Sequence, residues 1–286
     1  MCFVCFIACQ LIAFVVNVPF VLANLITWDD AISGPFGAVA GILLMMGVYK
    51  WWFRPEFEGM LKGNLPLGFL LGMIELIYVL ITVAASYFTG ALNGIKPLTM
   101  MIVGTSLMGG MGEEFAFRGV LSATMLRQWK DQNKFRTIAL ISGIVFGLVH
   151  AGNLISGANP FNTLLQVADS IGIGVFFAAV YMRTGTILPC MFYHTVHDII
   201  PIAVSSQVSE KGLITGGATD WSDGLNLVLS IVLMNLGHKG LREEYREDRR
   251  YILFSNLPGV LVGDHFTQVS CAKCPEYRDN GPRRVP

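Results

Sequence analysis

Charge is what this sequence has least of. Lysine, arginine, aspartate and glutamate make up 14% of its 286 residues, hydrophobic types make up 53%, and mean hydropathy is +0.56. A soluble globular chain does not carry that much apolar surface, so the composition is that of a polytopic membrane protein. The few charges also cancel, to a formal net charge of zero, and nothing points to nucleic acid as a partner. Cysteine is sparse and badly placed for bridging. Cys2, Cys5, Cys9 and Cys190 lie in apolar segments, and Cys271 with Cys274 forms a lone C-x-x-C. That excludes an even, exposed disulfide framework and falls short of the four ligands of a structural zinc. A basic region ahead of the first apolar run is missing and the run is too long, so no cleaved signal peptide is expected. No internal repeat or inverted pair of interrupted spans is visible, which weighs against a secondary transporter.

What is present is a series of long apolar runs. They fall near 2–27, 34–53, 66–88, 97–125, 137–156, 163–182, 184–206 and 224–237, each long enough to cross a bilayer as a helix. The fold class expected is therefore all-α, a polytopic membrane protein with about eight transmembrane helices. Loops rich in basic residues (Lys50, Arg54 and Lys62; Arg127, Lys130, Lys134 and Arg136; Arg183) alternate with loops that hold only Lys96 and Lys211. The positive-inside rule then places both termini in the cytoplasm of a multi-pass cell-membrane protein. Residues 1–237 form the transmembrane domain, and 238–286 a soluble tail without helical or strand period. Pro189 and Pro201 make the span 184–206 irregular, with a kink or unwound turn expected at Pro201.

Three formal charges sit inside one span. The stretch from Gly109 to Gly119 holds Glu113, Glu114 and Arg118, and ionisable groups at bilayer depth persist mainly where they pair, line a cavity or react. Glu114 and Arg118 stand at i,i+4 with the acid first, the favourable order for an ion pair on a helix. Glu113 points about 100° away and faces no cation one turn on, so it is the carboxylate left free to react. Gly104, Gly109, Gly110 and Gly112 permit close approach of a neighbouring helix. The bland alternative is an ion pair that only locks helices together.

Three of the five histidines, His150, His194 and His197, also lie in apolar spans. Fourteen residues separate Glu113 from Arg127 and Arg136 from His150, so an antiparallel hairpin sets both about 21 Å from the charged end. His194 is roughly 17 Å from Arg183 on the same count. Glu, His and His thus reach one layer, and His194 shares a face with Asp198 at i,i+4, whereas His197 is offset. A carboxylate and imidazoles in a low-dielectric pocket suit general-base activation of water, hence hydrolysis. No G-x-S-x-G elbow precedes a span. Cys190, four residues before His194, permits a Cys/His pair, although a small packing cysteine is the commoner role. Glu113, His150 and His194 match one catalytic zinc ligand set, but H-E-x-x-H is absent.

The order of three short motifs narrows the choice. Glu113-Glu114-Phe115-Ala116-Phe117-Arg118 reads as E-E-x-x-x-R, Phe146 to His150 as F-x-x-x-H, and His194 to Asp198 as H-x-x-x-D. In that order, on separate spans, they resemble the CAAX protease and bacteriocin-processing family of intramembrane glutamic endopeptidases, also called the ABI family. The resemblance covers about 97–206 and implies an eight-helix membrane protease without cofactor or metal. Glu113 and His150 would activate water, and His194 with position 198 would stabilise the oxyanion. Asp198 departs from the asparagine usual there, and an ionised aspartate cannot donate a hydrogen bond. The implied substrate is a membrane-associated peptide or protein, with the lipid bilayer as the other partner. Two readings from other classes stand beside it: a non-enzymatic bacteriocin-immunity or scaffold protein, and an ion or proton transporter using the same charges.

Overall fold

A computed structural model describes residues 2–23, 35–52, 63–88, 100–129, 134–155, 157–205 and 221–243. Among these residues the chain is all helical, with no strand. The helices are α1 (Cys2–Leu22), α2 (Pro35–Trp52), α3 (Leu65–Phe88), α4 (100–128), α5 (Phe135–Leu154, its last turn 3₁₀), α6 (Pro160–Thr184), α7 (Leu188–Ser205) and α8 (Trp221–Glu243). Each follows one of the eight apolar runs. Among the described residues three stretches, Leu65–Ala85, Phe135–Leu154 and Pro160–Thr184, are both long and apolar enough to cross a membrane. Helices α4 and α7 carry the ionisable groups of the motifs, which lower their hydropathy. Arg54, Lys62, Lys96, Lys130 and Lys211, used above for orientation, lie outside the described residues, as does the chain after Glu243 with Cys271 and Cys274.

Local chemistry sets the ends of α6. Asn159 caps its start, its side chain accepting from the amides of Phe161 and Asn162 at 2.9 and 3.2 Å, and Pro160 occupies the first turn where its missing N–H is not needed. Gly185 ends it at φ 71°, a left-handed cap that favours glycine. Helix α7 starts at Leu188 rather than 184, because the cap and the Thr186 turn intervene. Pro189 therefore falls in its first turn. Of the two expected forms, a kink or an unwound turn, the unwound turn does not occur: the helix runs unbroken to Ser205. Pro201 stands within the last turns, where the one hydrogen bond it removes is cheaper to lose.

Helix α6 is the centre of the bundle. Every residue from Gly172 to Met182 is buried, with α5 along one side and α8 along another. Two glycines one turn apart on α5 allow the approach: a Cβ on Gly143 would come within 2.8 Å of Ile171 O, and one on Gly147 within 2.6 Å of Val167 O. This small-xxx-small pattern is how membrane helices pack when lipid offers no hydrophobic drive between them. Outward faces stay apolar, with Leu70, Ile77, Leu80, Leu164, Phe192 and Ile231 exposed. Such a surface suits a bilayer as its solvent and not water. Helix α7 packs against α3 and against the middle of α4, and that junction positions the site.

Candidate active site

Helix α4 is not a regular α-helix where the charges lie. It is α-helical over Met100–Leu107 and Ala123–Gln128, but Met108–Glu113 and Phe115–Ser122 are π-helical on either side of Glu114. The Ser122 hydroxyl donates to Phe117 O and the Ala123 amide to Arg118 O, both five residues back. Wide i→i+5 turns are rare, and those that occur are frequently at functional sites. They also reduce the angle between successive side chains. Glu113 and Glu114 consequently face one histidine from its two sides, instead of diverging as a regular helix requires.

Two of the glycines in this stretch have a definite partner. A Cβ on Gly110 would collide with the Thr195 backbone, and one on Gly109 with a carboxyl oxygen of Asp198. Helix α7 therefore lies directly on the backbone of α4, the close approach expected of small residues. Gly112 has only Met108 of its own helix and, at 3.9 Å, Ile42 near it.

Glu114 and Arg118 are fully buried, with Arg118 Nη1 2.8 Å from Glu114 Oε1. Arg118 Nη2 donates to Gly174 O at 3.0 Å, which ties α4 to the central helix. The guanidinium also lies 4.8 Å from the centroid of Phe146 and 5.8 Å from that of Phe177, a cation–π setting that offsets part of its desolvation. The same Glu114 Oε1 is 2.9 Å from His194 Nδ1. A carboxylate paired with arginine can only accept, so Nδ1 carries hydrogen. Glu114 thus does more than neutralise Arg118: it fixes the tautomer and direction of His194, a role the sequence reading did not assign.

The far nitrogen of His194 looks into the rest of the group. His194 Nε2 is 3.9 Å from Glu113 Oε2 and 3.7 Å from Asp198 Oδ1. Glu113 and Asp198 retain 16% and 22% side-chain exposure, whereas Glu114 and Arg118 have none. The accessible side of the group is therefore that of Glu113 and Asp198. His150 opens the 3₁₀ turn that ends α5, and its Nδ1 is 3.1 Å from Phe146 O. A carbonyl only accepts, so Nδ1 donates and Nε2 of the neutral ring is left as a base. The ionisable groups that act electrostatically on Glu113 are His150, His194, Asp198 and Glu114. Phe146 meets His150, His194 and Phe117 edge-on, with centroids 5.1, 5.6 and 5.2 Å away, and so serves as the apolar wedge among the three motifs.

The structure also bears on the rival chemistries. Cys190 is buried and its thiol points at Phe177 O, 3.5 Å away, not at His194. Among the described residues no three His, Cys, Asp or Glu side chains converge as a metal site requires. Missing from the sequence reading are Glu75 on α3 and Asp169 on α6. His197, set aside there, bonds Glu75 Oε1 through Nδ1 at 2.8 Å. Single acids within apolar runs were a usable signal for both.

Comparisons with curated proteins and with solved structures returned no match. Residues 95–200, the segment that holds all three motifs, match the family described as Type II CAAX prenyl endopeptidase Rce1-like, and over that segment the chain is similar to this family of membrane proteases.

Proposed function

We propose that this protein is an intramembrane endopeptidase that hydrolyses a peptide bond of a membrane-associated peptide, of CAAX or related type. The observation that carries the reading is the convergence of Glu113, His194 and Asp198 within 4 Å contacts on α4 and α7, with His150 near enough to act electrostatically on Glu113. Glu113 takes a proton from water, aided by Nε2 of His150, and the resulting hydroxide adds to the scissile carbonyl. His194, as an imidazolium with one N–H on Glu114, donates its Nε2–H to the developing oxyanion together with Asp198, and Glu114 and Arg118 hold His194 in place from behind. The eight helices would all belong to one multi-pass domain in the cell membrane with both termini cytoplasmic, a view supported by the distribution of basic residues. A gap of 3.7 to 3.9 Å between His194 Nε2 and the two carboxylates suits a bridging water or substrate oxygen.

The mechanism routes no step through a metal, in keeping with the lack of an H-E-x-x-H motif in the sequence. Strong chelators should leave peptide cleavage unchanged, and the purified protein should carry no stoichiometric zinc. Activity lost on removal of about one zinc per chain and restored on its return would replace the mechanism by a Glu113/His150/His194 zinc site.

Asp198 supplies a second test. To stabilise an oxyanion it must donate a hydrogen bond and therefore hold a proton, whereas asparagine donates without titrating. Asp198→Asn is expected to keep most of the turnover and to hold it to higher pH, while Asp198→Ala loses on the order of a hundredfold. An inactive Asp198→Asn would reject the donor role and make Asp198 an acceptor that orients His194. The pH–rate profiles of the two variants beside wild type decide between them.

A further inference from the structure

Peptide hydrolysis needs two proton transfers, one from water and one to the departing nitrogen, and the groups described so far account for the first. His194 is committed on both sides, to Glu114 through Nδ1 and towards Glu113 and Asp198 through Nε2. One residue short of Asp198 stands another imidazole. The His197 ring lies 6.4 Å from the His194 ring, centroid to centroid, and Nδ1 is held by Glu75 Oε1 at 2.8 Å. Glu75 is fully buried, while His197 keeps 13% side-chain exposure.

The setting of this ring is unusually constrained. Tyr78, one turn after Glu75, lies against it with centroids 5.2 Å apart and planes tilted by 32°. The Tyr78 hydroxyl donates to Asp169 Oδ1 at 3.1 Å, and the Ser230 hydroxyl donates to the same oxygen. Helices α3, α6, α7 and α8 thus combine to fix one imidazole. Among the described residues the second oxygen of Glu75 is buried with no hydrogen-bond partner, so there the carboxyl group is directed at His197. A tie between helices would need no carboxylate, since neutral amides or hydroxyls hold helices together at a smaller desolvation penalty. A carboxylate behind one nitrogen of an imidazole is instead the arrangement that orients a histidine for proton transfer through the other.

We propose that His197, positioned by Glu75, is the acid that protonates the leaving amine; the inference rests on the proteolytic reading above. The imidazolium gives its Nε2 proton to the peptide nitrogen as the C–N bond breaks and its electron pair passes to nitrogen. Glu113 by then holds one proton of the attacking water, and the other stays on the new carboxylic acid. Transfer of the Glu113 proton to neutral His197 restores both groups. Glu75, bonded to Nδ1, and Asp169, behind Tyr78, supply the negative charge that holds the imidazolium between turnovers.

The test compares two substrates on the purified full chain: a peptide that wild type cleaves, and the 4-nitrophenyl ester of its acyl half. Nitrophenoxide leaves without a proton, so only the peptide needs the acid. His197→Gln should lower kcat on the peptide by ~10²–10⁴-fold with little change in KM, yet lower ester turnover by less than about threefold. Glu75→Gln should show the same selectivity in weaker form, and Glu75→Asp, which keeps the carboxylate, should recover part of the peptide rate. Equal losses on both substrates, or no loss on the peptide, would overturn the inference and leave the network a structural tie. Glu113→Gln is the control arm: it should abolish both activities, and its failure to do so would count against the proteolytic mechanism itself, not against His197 alone.

Discussion

Replacing Arg118 with alanine should cost the fold roughly 3–5 kcal/mol, the loss typical when one partner of a buried ion pair is removed. The guanidinium is fully buried and meets Glu114, Gly174 O and the faces of Phe146 and Phe177. Its removal leaves Glu114 charged in a closed apolar setting and detaches α4 from the central helix. Glu114→Ala should cost a comparable amount and should also free His194, which loses its partner at Nδ1. Because two apolar residues can replace a buried pair at little net cost, the double variant Glu114→Leu/Arg118→Met should fold better than either single one, and still be inactive. Thermal unfolding in detergent with a parallel activity assay measures this. Wild-type stability and wild-type turnover in both single variants would contradict the pairing.

The largest effect on catalysis is expected from the base and its helper. Glu113→Gln and His150→Ala should each reduce kcat by roughly 10²–10⁴-fold while leaving insertion and melting behaviour near wild type. Neither side chain is fully buried, and neither carries the Glu114–Arg118 contacts that hold the helices. With both acting on one water, as proposed above, the Glu113→Gln/His150→Ala protein should be about as slow as the slower single variant, because residues that work as a unit are not additive. Independent, multiplying losses would show that His150 acts at another step. Near wild-type turnover in either single variant would sink the mechanism.

Much of the fold is legible in the chain because a bilayer-length apolar run is a property of composition. The run at 66–88 became Leu65–Phe88, and that at 163–182 became Pro160–Thr184, extended by a cap that Asn159 and Pro160 spell out locally. The i,i+4 spacing of Glu114 and Arg118 likewise anticipates the contact between them. What was not legible depends on tertiary placement. The π turns of α4 form where Gly109 and Gly110 lie against α7, and no sequence period announces them. They bring Glu113 and Glu114 to one histidine, although a regular helix sets them apart. Glu75 could be noticed as an acid in an apolar run, but its partner His197 lies 122 residues away, and Asp169 meets Tyr78 across 91. Pairings at that range come from the packing of the bundle, not from local pattern.

The central claim is that Glu113 activates water for peptide hydrolysis. Its most direct test is mass spectrometry of a membrane-anchored peptide incubated with purified wild-type protein and with Glu113→Gln, in water enriched in ¹⁸O and in the presence of a chelator. The account predicts cleavage by wild type alone, with one ¹⁸O in the new carboxyl group and no acylated protein at any time. Cleavage by the Glu113→Gln protein at a rate near wild type, or a trapped acyl-enzyme, would contradict it.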